Sequence, residues 1–503
     1  MSEHYAHLTR RLRETATLGS VGELLAWDQE TMMPRSGARF RAEELAVVSS
    51  LVHQKATDAA IGDLIASCEA DRALVADPAI AANLREIRRD YDRALKLPTE
   101  LVAEISETSS LAMEVWREAR AKSAFREFAP WLEKQLALQR RKAECYGAPA
   151  GGELYDALVE DYEPGMRGDE IERLFGPLRE GLRPLIEAIA SATYQPDPTL
   201  ERIEIPQARQ RTFNDAVLAQ IGFDLAGGRL DISTHPFSTG LGPGDTRITT
   251  RYRDDAFLDS LGSTMHEAGH GLYEQGLPKA ERLGQPAAEA LSLGWHESQS
   301  RLWENQVGRS CAFWKWAGPV ARGIFGDVVG GVTDEDFYRA ANVVRPNLIR
   351  VESDEATYNL HIMLRFDLER AMIRGDLAVA DLPGAWNDRI KSDLGLDVPD
   401  DARGCLQDVH WSMGSVGYFP TYTLGNLYSA QLWDAVVVAI PDVDHQMQRG
   451  EFAALLGWLR NNVHAHGRRF PATELSERVT GHPLGSKSLL RYLEAKFRPL
   501  YNI

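Results

Sequence analysis

The chain has 503 residues, 44% of them hydrophobic and 26% charged, an ordinary composition for a soluble globular protein with a large core. Its formal charge of -17 argues against nucleic acid and anionic membrane surfaces as partners, because both are polyanions. No run reaches the length of a membrane span, and the N-terminal stretch MSEHYAHLTRRLRETATL is polar and charged, without an apolar signal core.

Helical periodicity dominates the first half. Leu84, Ile87, Tyr91 and Leu95 recur at steps of three and four, and TELVAEISETSSLAMEVWREARAK and EFAPWLEKQLALQRRKAE read the same way. Pro98 and the loop around Gln195–Pro198 punctuate these helices. Asp245 to Tyr252 breaks the pattern: it is β-branched, alternates, and follows the turn-rich STGLGPG. As a strand it puts Asp245, Arg247 and Thr249 on one face, and it serves either as an edge for an extended peptide or as a structural hairpin. A helix is then expected from Asp255 into His266, with Phe257, Leu258, Leu261 and Met265 as its buried stripe. Positions 289 to 306 read as a second helix, packed by Leu291, Trp295, Leu302 and Trp303. Leu360, Leu364, Leu368 and Met372 repeat every four and stop at Gly375, a C-cap signal. With no repeat and no long linker, residues 1–503 are expected to form a single domain of two lobes. Four scattered cysteines (Cys68, Cys145, Cys311, Cys405) show no CxxC spacing, which suits free thiols and a cytoplasmic location.

His266-Glu267-Ala268-Gly269-His270 carries the chemistry. On a helix, residues four apart share a face, so both imidazoles reach one metal ion. Glu267 projects beside it, placed to take a proton from water. With 13 histidines in the chain, chance alone supplies such a match in roughly a few chains per hundred, so the context decides. A third histidine ligand is excluded on the spacing HExxHxxGxxH, because Tyr273 and Gly276 stand where its glycine and histidine belong. A glutamate on the next helix remains. Glu297 in Gly294-Trp295-His296-Glu297-Ser298-Gln299-Ser300 is the candidate, with Glu289 and Glu304 as competitors on spacing. His296, adjacent to it, is read as a supporting residue. A His2Glu site with an open position polarises a carbonyl and activates water, so amide hydrolysis is the expected reaction.

Further motifs follow one another along the chain. They are His235-Pro236-Phe237 (HPF), Asp245-Thr246-Arg247-Ile248-Thr249 (DxRxT), HEAGH, His296-Glu297-Ser298-Gln299 (HESQ) and Gly404 to Trp411 (GxxQDxHW). Leu24 to Pro34 and the segments Trp458-Leu459-Arg460, His464 to Gly467 and Val479-Thr480-Gly481 extend the match to both ends. In these residues the chain resembles the carboxypeptidase Taq family of metallocarboxypeptidases, and HESQ supports Glu297 over its competitors. One departure is Ser353 in Ile349-Arg350-Val351-Glu352-Ser353-Asp354, where the family reads roughly IRxxAD.

The resemblance implies a mainly α fold, two-lobed with a deep groove, like neurolysin and angiotensin-converting enzyme, the metal-site core falling at about 235–425. It also implies a homodimer, one zinc per chain with cobalt as a substitute, and removal of single C-terminal residues from peptides with broad specificity. Such an enzyme must hold the terminal carboxylate, for which the planar fork of arginine is suited. Arg350 is the candidate, against a surface i,i+4 pair with Asp354. Arg247 is the second choice, with Asp245 and Thr249 beside it. His410, Tyr422 and Tyr418 are candidate oxyanion donors, Asp408 a candidate to orient a histidine, and His464 and His466 are read as structural. The competing readings are a dipeptidyl carboxypeptidase or endo-oligopeptidase with the same metal site, and a silent scaffold, which the intact Glu267 argues against. No GxMEN-type motif precedes HEAGH, which disfavours an aminopeptidase.

Overall fold

The computed structural model describes residues 2–503, most of them helical. Two apolar cores organise the chain. A small one joins Tyr5 and Leu8 of the first helix (Glu3–Thr31) to Ile65, Leu84 and Ile87. The large one gathers buried residues from Ala112 to Tyr501 and surrounds the segments that carry the motifs.

The periodic stripes fold as their spacing requires. Leu360, Leu364, Leu368 and Met372 lie on one helix (Tyr358–Arg374), each at most 4% exposed. That helix stops at Gly375, whose φ of 88° is the left-handed C-cap conformation. The Pro78–Lys96 helix buries Leu84 and Ile87, but Leu95 near its end is exposed. There the helix outruns the core it packs on.

A three-stranded sheet stands beside the HEAGH helix, in the order β1 (Gly228–Ile232), β3 (Asp245–Thr250), β2 (Ser238–Gly242). β1 runs parallel to β3 and β2 antiparallel. The segment read as turn-rich is therefore mostly strand, and the turn shrinks to Pro243-Gly244, with Gly244 at φ 76°. Because β3 is paired on both sides, it offers no free edge to a peptide, and the structural reading of this segment holds. Thr249 pins the HPF segment: its Oγ1 accepts from Phe237 N at 2.9 Å and from Ser233 Oγ at 2.7 Å. At the end of β3, Thr250 Oγ1 donates to the Ser260 carbonyl (3.2 Å) and so ties the sheet to the HEAGH helix, Phe257–Gly276.

The second helix begins at Leu293 rather than at 289. Ser292 caps it, its Oγ accepting from Trp295 N at 3.1 Å, and a π-helical turn over Leu302–Val307 follows Arg301. Leu291, Trp295, Leu302 and Trp303 are all buried. Two glycines set how closely the helices approach. A Cβ on Gly269 would lie 2.5 Å from the Gln299 carbonyl oxygen and 2.6 Å from Ser300 Cα. A Cβ on Gly425, in the Pro420–Ala439 helix, would lie 2.5 Å from Glu297 Cγ. The helix that carries Glu297 is thus clasped between two helices that touch it through glycine, Gly425 at Glu297 itself and Gly269 at Gln299 and Ser300.

Candidate active site

The crossing of these helices brings His266, His270 and Glu297 together. Glu297 Oε2 lies 3.7 Å from His266 Nε2 and 3.5 Å from His270 Nε2, and one donor atom from each residue falls within 4.8 Å of the others. Two imidazole nitrogens and one carboxylate form a donor set suited to a divalent metal. Glu267 lies between the two histidines in sequence and is 6% exposed.

Each ligand is oriented from behind. His266 Nδ1 lies 2.9 Å from Glu304 Oε2, and Glu304 is held in turn by Arg301 (3.1 Å) and Arg309 (3.0 Å). Burial alone would protonate Glu304, but Arg301 and His266 outweigh it and hold the carboxyl well below the usual range. Glu304, a competitor for third ligand on spacing, therefore supports His266, while Glu289 pairs with Arg468 elsewhere. His270 Nδ1 meets His296 Nδ1, and His296 Nε2 lies 2.8 Å from Glu274 Oε1, with Lys279 on the other carboxylate oxygen. One proton assignment satisfies this chain: His270 Nδ1–H donates to His296, and His296 Nε2–H donates to Glu274. Nε2 of His270 is then bare. Burial and the neighbouring His296 lower the His270 pKa to about 3, so the ring is neutral, as a ligand must be. Glu297 stays ionised although burial opposes it, because Arg301 (Nε to Oε1, 2.6 Å) and, after it, His266 stabilise the charge.

The other candidates divide. Arg350 occupies a single 3-10 turn (Arg350–Glu352), and its surface pair with Asp354 does not form. Asp354 instead closes the turn that leads into the Tyr358–Arg374 helix, accepting from Ala356 N and Thr357 N. Arg350 is buried, with Nε donating to Asp408 Oδ1 (2.9 Å) and Nη1 to the Tyr358 hydroxyl (3.0 Å). Asp408 orients no histidine: its second oxygen accepts from Arg365 Nε at 2.6 Å, since two guanidinium groups outcompete a neutral imidazole for one carboxylate. His410 Nε2 lies 3.2 Å from the Tyr422 hydroxyl, and the Tyr418 and Tyr422 rings meet at 5.3 Å. Burial, and Arg350 nearby, lower His410 to about 3 and keep it neutral. Arg247 and Asp245 are not brought to the ligands. They bind each other through two 2.9 Å contacts, and the Arg247 guanidinium lies 4.2 Å from the centre of the Trp27 ring. His464 Nε2 is hydrogen-bonded to Gln299 (3.0 Å) and His466 packs on Phe470, both structural.

Four residues of the site escape the motif reading. Arg301 follows Glu297 by four positions on the same helix, a spacing that points to the pair. Tyr358, Arg365 and Glu369 carry no such signal. Glu369 Oε1 accepts from Trp411 Nε1 (2.8 Å), and Oε2 accepts from Tyr155 (2.9 Å) and Gly417 N (3.0 Å). One buried carboxylate thereby fastens both ends of the segment between His410 and Tyr418. Burial pushes it up to about 7 against these three donors, above its range in an unfolded chain. Its stabilising contribution is therefore complete below pH 4.5 and is lost as the pH rises through 7. In denaturant titrations, the stability of wild type relative to Glu369→Gln falls by about 2–3 kcal/mol between pH 4.5 and 7.5. A difference that stays flat with pH would refute the raised pKa.

Comparison with known proteins agrees with this geometry. Residues 7–497 match the model of the carboxypeptidase Taq (M32) metallopeptidase family. Thermostable carboxypeptidase 1 of Thermus thermophilus is 46% identical, and that of Pyrococcus furiosus 37%, each match covering 99% of both chains. The crystal structure of an M32 carboxypeptidase from Deinococcus radiodurans superposes with a TM-score of 0.97 at 41% identity, over 100% of both chains. By fold, motifs and full-length similarity, this chain belongs to the carboxypeptidase Taq (M32) family and is a metal-dependent carboxypeptidase acting on peptides.

Proposed function

We propose that His266, His270 and Glu297 hold one zinc ion, for which cobalt can substitute, and that the enzyme removes single C-terminal residues with broad specificity. A divalent ion bound there supplies Lewis acidity, acidifying water and polarising the scissile carbonyl. Glu267 takes a proton from the attacking water on a carboxylate oxygen and passes it to the departing amine nitrogen. His410, Tyr422 and Tyr418 donate hydrogen bonds to the developing oxyanion. Arg350 binds the terminal carboxylate, while Asp245, Arg247 and Thr249 are committed to one another and to the HPF segment and hold the sheet rather than the peptide.

The observation that carries the direction of cleavage is the buried guanidinium of Arg350, braced by Asp408 and Tyr358 with Nη2 left over. An arginine fixed in this way offers its remaining donors to a carboxylate without losing further side-chain entropy. The test is a peptide and its C-terminally amidated twin, followed by mass spectrometry. Loss of single residues from the free acid, with the amide cut at least about tenfold more slowly, is the expected result. Equal cleavage of both removes terminal recognition, and release of dipeptides favours the dipeptidyl reading.

The family likeness also supports two lobes around a deep groove, resembling neurolysin and angiotensin-converting enzyme, and a homodimer, which light scattering tests. Four free cysteines suit the cytoplasm.

A further inference from the structure

Arg350 commits Nε to Asp408 and Nη1 to the Tyr358 oxygen, and Nη2 donates to no described residue. The Tyr358 oxygen, in accepting that bond, keeps its own proton, and no described residue accepts it. Two donors, an N–H and an O–H, thus stand side by side with nothing to receive them.

We propose that Tyr358 is the second half of the carboxylate site: its hydroxyl donates to one oxygen of the substrate's terminal carboxylate while Arg350 Nη2 donates to the other. The proposal rests on the reading of Arg350 given above and extends it to a residue outside every motif.

Two further observations support it. The ring is fixed before substrate arrives: Tyr358 is 6% exposed, the Arg301 guanidinium lies 4.5 Å from its ring centre, and the Tyr422 ring meets it edge-on at 6.2 Å. Arg301 also holds Glu297, so the same residue braces a metal ligand and the tyrosine. Charge points the same way. Asp408 alone lies between Arg350 and Arg365, two cations on one anion, all three buried or nearly so. Such a cluster lacks one negative charge, and a terminal carboxylate supplies it.

The test compares a blocked dipeptide with its C-terminal amide in wild type, Tyr358→Phe and Arg350→Gln, each with its metal content measured. In Tyr358→Phe, KM for the free acid rises about tenfold and kcat falls far less, the preference for acid over amide drops by a similar factor, and metal content stays at the wild-type level. If Arg350→Gln loses the preference and Tyr358→Phe keeps it, the tyrosine has no part in recognition. If Arg350→Gln keeps the preference, the underlying reading of Arg350 fails instead. A crystal structure of the wild-type protein with N-acetylphenylalanine decides the matter without a variant. A carboxylate oxygen within about 3.2 Å of the Tyr358 hydroxyl supports the proposal, and a carboxylate on Arg350 more than about 4 Å from that hydroxyl overturns it.

Discussion

Glu267→Gln is expected to lower kcat by about 10³-fold or more while the protein retains its full complement of metal. Glutamine matches glutamate in size and keeps the buried packing, where Glu267 is 6% exposed, but it has no basic oxygen. Metal analysis and turnover on one preparation separate the outcomes. Loss of metal assigns Glu267 a role in holding the ligands, and undiminished turnover removes it from the proposed mechanism. The wild type adds a pH signature. Burial, followed by the nearby Glu297 charge and opposed by His266, places the Glu267 carboxyl at about 7 in the metal-free protein. A base must be ionised to act, so activity falls as the pH drops through the pKa of Glu267, and the residual rate of the variant lacks that limb.

Gly269→Ala is the second large effect. The added methyl would enter the Gln299–Ser300 backbone at 2.5–2.6 Å, and backbone cannot rotate aside as a side chain can. The HEAGH helix must then move away from the helix that carries Glu297, which separates two ligands from the third. Overpacking of this kind costs about 1–3 kcal/mol in stability, and the same strain on the assembled site lowers metal affinity tenfold or more. Gly262→Ala on the same helix is the control, since a Cβ there would meet nothing within 4 Å. That substitution raises or preserves stability by helix propensity alone. Thermal melts with chelator competition compare the two, and equal behaviour would show that the helix contact tolerates a methyl group.

The parts of this site that are legible in sequence are those fixed by local geometry. The i,i+4 spacing of His266 and His270 needs only a helix, whereas Glu297 is set apart from Glu289 and Glu304 by the likeness of HESQ to the family's motif and not by spacing. Contacts between distant segments are not legible. Nothing near Asp408 in sequence reveals that Arg350 and Arg365, from two other segments, converge on it. Glu304 reads as a rival ligand because spacing cannot tell a residue that faces the metal from one that faces a ligand's far nitrogen. β2 escapes notice because Ser238–Gly242 is glycine-rich, and pairing with β3 imposes the strand against its local preference. Tyr358 carries no periodic signal at all, and its place is set by packing under Arg301.

The division of the interior into a large and a small core bears on how the molecule opens under native conditions. The small core rests on few apolar side chains, and much of what ties it to the rest is ionic. Arg468 pairs with Glu86 and Asp90, and Arg89 with Glu160. Amide protons of the first helices are therefore expected to exchange through a sub-global opening well below the global unfolding free energy, sooner as salt rises. Those of the HEAGH helix, inside the large core, exchange only when the whole molecule unfolds. The catalytic centre is thus built on the last part of the protein to come apart.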